Sequence, residues 1–161
     1  MIILGNGVFS IGETDIALTR GGGQFVLERE YRNIEADGDK GAVKGRVVLD
    51  KSQPKLTMNN LSIIPTDMTK YYPAMKITDM EAKKIVTGTG KIVTADYQNF
   101  VKWTGVTDEG KPVIIKVKNA INLENLDWTM ADKDEVINVL TFQGCYEDGN
   151  MDEEPWEIEW V

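Results

Sequence analysis

Apolar and polar residues alternate with a period of two along most of this 161-residue chain. In QFVLEREYRN, Phe25, Leu27 and Tyr31 share one face while Gln24, Glu28, Glu30 and Arg32 share the other, with Val26 and Arg29 out of phase. In VKGRVVLD, Val43, Val47 and Leu49 oppose Lys44, Arg46 and Asp50. In PVIIKVKNAINLE, Val113, Ile115, Val117, Ile121 and Leu123 oppose Lys116, Lys118, Asn122 and Glu124. Successive strand side chains point to opposite faces, so these segments predict antiparallel strands with one dry and one wet face.

Further strands are expected around 83–94 and 99–107. The segment WEIEWV sets Trp156, Ile158 and Trp160 against glutamates and reads as an edge strand. After Leu123 the apolar phase passes to Leu126, Trp128 and Met130, which predicts a bulge near Asn125. The turn residues Asp132, Lys133 and Asp134 then predict a hairpin into the strand VINVLTFQGCY. Helix is scarce. PTDMTKYYPAM predicts one short helix near 66–72, with Thr66 as cap and Pro73 as stop. It has room to extend backward into LTMNNLSII, whose period is ambiguous. The expectation is one mainly β domain over 1–161, an antiparallel β-sandwich or partial barrel with one short flanking α-helix.

Charge and composition narrow the function. The formal net charge is −8, and residues 147–161 carry seven acids and no base, leaving 18 bases and 19 acids in a nearly neutral body. No basic stripe offers itself to duplex DNA, which needs one to displace counterions. The chain has no histidine, so Ser-His-Asp and Cys-His arrangements are absent and so is the commonest zinc ligand. Its single cysteine, Cys145, has no partner for an internal disulfide, which suits a reducing cytosol. The opening MIILGNGVFSIG lacks a basic n-region and is not read as a signal peptide. No apolar run approaches the roughly 20 residues that span a bilayer.

Three stretches imitate binding motifs. GVTDEGKP at 105–112 matches G-x-x-x-x-G-K, but Pro112 stands where a magnesium-binding hydroxyl is needed, so a turn is expected. Gly21–Gly23 precede a strand and not a helix, so they are expected to kink the chain ahead of the sheet. DGNMDEEPWEIE at 148–159 has calcium-loop spacing at Asp148, Asn150, Asp152 and Glu159, but Glu153 replaces the turn glycine and Pro155 intrudes. No carboxylate pair stands out for acid–base work, and Cys145 and the four tryptophans read as core or interface. No catalytic, cofactor-binding or metal-ligating residue is assigned, and the chain is not expected to be an enzyme.

Three strings together carry a likeness: DIALTRGGGQFVLEREYRNIEADGDKGAVKGRVVLDKSQPKLTMNNL at 15–61, YYPAM at 71–75 and ADKDEVINVLTFQGCY at 131–146. On these the chain resembles the major tail (tail tube) proteins of long non-contractile-tailed bacteriophages and related prophages. The resemblance implies a small β-sandwich with a flanking helix, forming hexameric rings that stack into a DNA-conducting tube. It also implies residence in the virion tail, assembly in the bacterial host cytoplasm, and three kinds of partner besides identical copies: a tape-measure protein, a tail terminator and tail-tip proteins. DNA should pass without adhering, and no membrane is involved. The polar loop at 33–45 is then expected to reach an adjacent ring, with Glu35, Asp37, Asp39, Lys40 and Lys44 making charge contacts. The acids of the C-terminal segment, Glu157 and Glu159 among them, are expected to restrain premature polymerisation. The competing expectation is a β-sandwich adhesion module that binds carbohydrate or calcium.

Overall fold

Alternation becomes burial most cleanly in β4 (Val47–Asn60), where Ser52, Pro54, Leu56, Met58 and Asn60 are buried and the residues between them are not. The computed structural model describes residues 1–161. Its other strands are β1 (Ile3–Ile11), β2 (Thr14–Asp15), β3 (Thr19–Asn33), β5 (Met75–Met80), β6 (Lys83–Gly88), β7 (Gln98–Thr107), β8 (Pro112–Asn122), β9 (Asn138–Gly144) and β10 (Trp156–Trp160). Helix is confined to 3₁₀ turns at Pro65–Asp67 and Thr94–Asp96 and to α1 (Met68–Tyr71). Every strand pairing is antiparallel.

The main sheet runs β2-β1-β7-β8-β9-β4-β3, and β5 pairs with β6 in a separate hairpin. β8 makes this a sandwich. One of its edges is held by β7 from Pro112 to Ala120, while the other is divided: Val113–Val117 pair with β10, and Ala120–Asn122 pair with β9. The division falls at Asn119, whose φ of 49° is the left-handed conformation that asparagine tolerates better than most residues. The sheet therefore folds over, bringing β3 against β1 and β10. Phe25 lies 6.2 Å from Trp156, ring centre to ring centre, and Gly23 sits directly against the Phe9 ring. Leu56, Met58, Val101, Val117, Leu140 and Phe142 fill the space between the layers.

The mainly β architecture with one short helix is as the alternation implied, but several boundaries move. No strand and hence no bulge forms near Asn125; the backbone irregularity of this region is the positive φ at Asn119, inside β8. Residues 123–137 form no strand, so the turn at Asp132–Lys133 closes no hairpin, and β9 pairs with β4 and β8 instead. Trp128 explains the deceptive alternation there: it packs on the core from a loop and donates its indole N–H to Asn138 (3.1 Å). The segment around 56–60 belongs to β4 and not to the helix. Pro54 lies one residue past the β4–β9 ladder, which ends at Lys55↔Gln143, so the missing N–H costs no central hydrogen bond. β4 begins at Val47 and not Val43, β6 ends at Gly88, and Thr66 makes no cap, since Ile64 precedes a turn opened by Pro65.

Candidate assembly surface

The longest pairing in the chain is β3 with β4, and it outruns its support. Beyond Lys55 there is no third strand, so Glu28–Asn33 and Val47–Gln53 continue as a two-stranded arm about 20 Å long at roughly 3.3 Å per residue. Glu30 opposes Lys51 and Tyr31 opposes Leu49, which leaves Asp50 as an extra residue. That bulge returns Tyr31, Leu49 and Val47 to the face that holds Phe25 and Leu56 within the sandwich. The core face thus continues onto the arm with nothing over it. Tyr31 is 64% exposed, Val47 50% and Leu49 44%, with Ile34 exposed beside them. The opposite face is charged and self-paired through Glu28–Lys55 (3.3 Å), Glu30–Lys51 (3.9 Å) and Arg32–Asp50 (3.0 Å).

At the arm's base Arg29, the residue out of phase in the sequence, points inward for a reason. It hydrogen-bonds Ser52 Oγ (3.3 Å) and pairs with Glu154 (2.9 Å) of the acidic segment. Burial pushes the Glu154 carboxyl up, but hydrogen bonds from Ser52, Trp156 and Arg29 outweigh it and hold the carboxyl below its ordinary range. Tyr146 adds a bond from its hydroxyl to the Ser52 carbonyl (3.1 Å). Part of the acidic C-terminal segment is therefore a brace for the arm and not a free tail.

Of the five loop residues singled out in the sequence, Asp39 has an internal task. It accepts the Ala36 N–H and the Arg46 guanidinium, both at 2.8 Å, and so folds the loop. Glu35, Asp37, Lys40 and Lys44 surround it at the arm's tip, all exposed. The sequence did not reveal the apolar strip of Tyr31, Val47 and Leu49, because alternation alone reads such residues as buried.

Besides the outer edge of β3, which pairs only with β4, two sheet edges are bare. β2 covers Ser10 and Ile11 of β1 and the Ile16 N–H bonds the Phe9 carbonyl (2.8 Å), so Ile3–Val8 has no outer neighbour, and Ile3, Leu4 and Val8 are exposed there. At the other end β10 lies on β8 with its second edge open, and Trp160 is 50% exposed. On the outer face of this sheet Lys116 and Lys118 both pair with Glu157, at 2.9 and 3.0 Å. Their hydrogen bonds hold the Glu157 carboxyl below its usual range. Lys102 and Lys116 flank the Phe100 ring at 5.6 and 5.3 Å, and Lys102 faces Glu13 at 3.8 Å.

The motif look-alikes resolve into backbone features. Asp108–Gly110 turn β7 into β8. Gly21 and Gly22, with φ of 81° and 70°, form a bulge that lets β3 bend between its pairings with Asn60 and Met58. Asp148 and Asn150 lie in a turn while Glu159 is on β10. An acidic depression of about 490 Å³, lined by Glu124, Asp127, Asp134 and Glu135, holds a carboxylate unsuited to donate a proton, since the Arg20 hydrogen bond lowers the Glu135 pKa. Trp103 is buried, Trp156 packs on Phe25, and burial pushes the Cys145 thiol up. No helix is long and apolar enough to cross a membrane. No protein-family model matches the chain, and no curated protein matches it either.

Proposed function

We propose that this chain is a structural subunit of a phage-type tail tube, joining copies of itself edge to edge into hexameric rings and stacking the rings through its arm. The observation that carries the proposal is the arm. An isolated two-stranded ribbon is marginal in water, and this one extends with its apolar strip unburied. Such a strip is retained where another surface covers it. The tip charges Glu35, Asp37, Lys40 and Lys44 then meet the adjacent ring, while Asp39 shapes the loop that presents them.

The bare edges support lateral closure. β1, β7, β8 and β10 alternate in direction, so β10 runs opposite to β1. A copy related by rotation about a ring axis brings its β10 antiparallel to the next copy's β1, and an even number of strands repeats without a direction conflict. The paired charges on the outer face suit a wall past which DNA slides, since unpaired lysines would gather phosphates. The remaining partners would be a tape-measure protein within the tube and terminator and tip proteins at its ends, with the assembled tail in the virion.

Sedimentation velocity and negative-stain imaging of the purified chain over a concentration series test this. Rings or filaments are expected, and deletion of 37–41 should block stacking while leaving the monomer folded. A chain that stays monomeric at every concentration and salt refutes the proposal, as do normal tubes from the deletion.

A further inference from the structure

Between the bare edge of β1 and the start of β3 lies an open apolar cleft of about 190 Å³, lined by Ile3, Gly5, Phe9, Phe25, Trp103 and Ile115. Its walls continue the core, for Phe9 and Trp103 belong to the buried cluster. The cleft abuts the only stretch of β1 that can accept another strand. We propose that Trp160 of a second copy fills this cleft, making it the lateral lock of the ring; the inference rests on the ring reading above.

Strand register argues for that occupant. Ile158 opposes Ile115, Ile115 opposes Trp103, and Trp103 opposes Phe9, so the inward face of β10 and the cleft face of β1 are one face of one sheet. β2 and the Ile16 N–H after it block Phe9, Ser10 and Ile11, leaving Ile3–Val8 for an incoming strand. A neighbour's β10 laid antiparallel there with Ile158 opposite Gly7 carries Trp160 on to the Ile3–Gly5 stretch, where β1 departs from regular register. Gly5 is open: a Cβ built on it meets nothing within 4 Å. Gly7 is closed by the chain's own Trp103. The vacancy is therefore at the level where the incoming indole arrives.

Size and charge agree. A tryptophan covers about 150–250 Å² when buried, a substantial part of the roughly 800 Å² per partner that a stable interface needs. Trp160 is half exposed in the single chain, so its ring has area left to bury. Residues 1–12 carry no charged side chain, so β10's glutamates meet no like charge on the accepting edge.

The test uses the full chain in three variants: Trp160→Ala, Trp160→Phe, and Gly5→Leu, which fills the cleft from within. Ring formation is followed by sedimentation velocity and monomer integrity by thermal melting at low concentration. Trp160→Ala and Gly5→Leu should each raise the concentration needed for rings at least tenfold, with unchanged melting, and Trp160→Phe should recover part of the loss. The double variant should be no worse than either single one, because both remove the same contact. Wild-type rings together with unaffected assembly of Gly5→Leu would overturn the lock and leave the ring reading standing. A wild-type chain that never forms rings would overturn both. Should Trp160→Ala also lower the melting temperature, Gly5→Leu decides alone, since its side chain enters open space.

Discussion

Replacing Tyr31 by serine separates what the arm does for the chain from what it does for an assembly. The ring is 64% exposed, opposite Leu49 on a ribbon with no third strand, so little intramolecular packing is lost. An aromatic side chain that buries about 150–250 Å² in total has roughly 100–160 Å² left to cover, which at ~25 cal/mol per Å² is about 2.5–4 kcal/mol on full docking. Allowing for partial cover, the variant should need about a hundredfold higher concentration to stack, since about 1.4 kcal/mol is one factor of ten. Monomer melting should hardly move, because substitutions on open surface usually stay within about 0.5 kcal/mol. The assay is a concentration series by sedimentation velocity, with imaging to tell rings from stacked tubes. Rings that still form but no longer stack are the expected result. Stacking at the wild-type concentration would refute the reasoning. So would a monomer destabilised by more than about 1 kcal/mol, which would mean that the ring works inward.

Phe142, 1% exposed between the layers, should cost about 3–5 kcal/mol when cut to alanine, measured by urea unfolding, because the cavity has few ways to collapse. Gly23→Val should destabilise the fold by about 1–3 kcal/mol, since its Cβ would run into the Thr57 carbonyl and the Phe9 ring; a tolerated valine would argue against the close approach of β3 and β1. Glu157 gives a pH dependence of known sign. Its pKa is depressed by Lys116 and Lys118, so its contribution is present above the unfolded carboxylate value and is lost as pH falls through the lower folded one. Glu157→Gln should therefore be slightly less stable near neutrality, by about 0.2–1 kcal/mol as for exposed pairs, and should converge with wild type in acid when unfolding is followed by tryptophan fluorescence. Curves that stay parallel at all pH would contradict this.

Much of the candidate surface was legible before any fold was known, though under the wrong description. The loop at 33–45 stood out because it is longer than a tight hairpin needs and crowded with charge, and it does cap the arm. Tyr31, Val47 and Leu49 were equally visible as an alternating series, yet alternation marks only a shared face and does not say what covers it. Arg29 looked like an error in the pattern because its partner Glu154 lies 125 residues away. The bare β1 edge and the cleft beside it had no signal at all, since both depend on β2 stopping after two residues and on the sheet folding over.

The amino-acid order alone determined the β character, the turn at Asp108–Gly110 and a single short helix near Pro65 stopped by Pro73, while the glycine kink it placed ahead of a strand lies inside β3. These are local matters, settled by side-chain alternation and by which residues tolerate particular φ angles. Which strands pair, and where β8 exchanges β10 for β9, was decided only in three dimensions, by core packing between segments far apart in the chain. The same packing made a strand of 56–60 and a loop of 123–137, two stretches with similar patterns. The first found neighbours on both edges, and the second found only a pocket for Trp128.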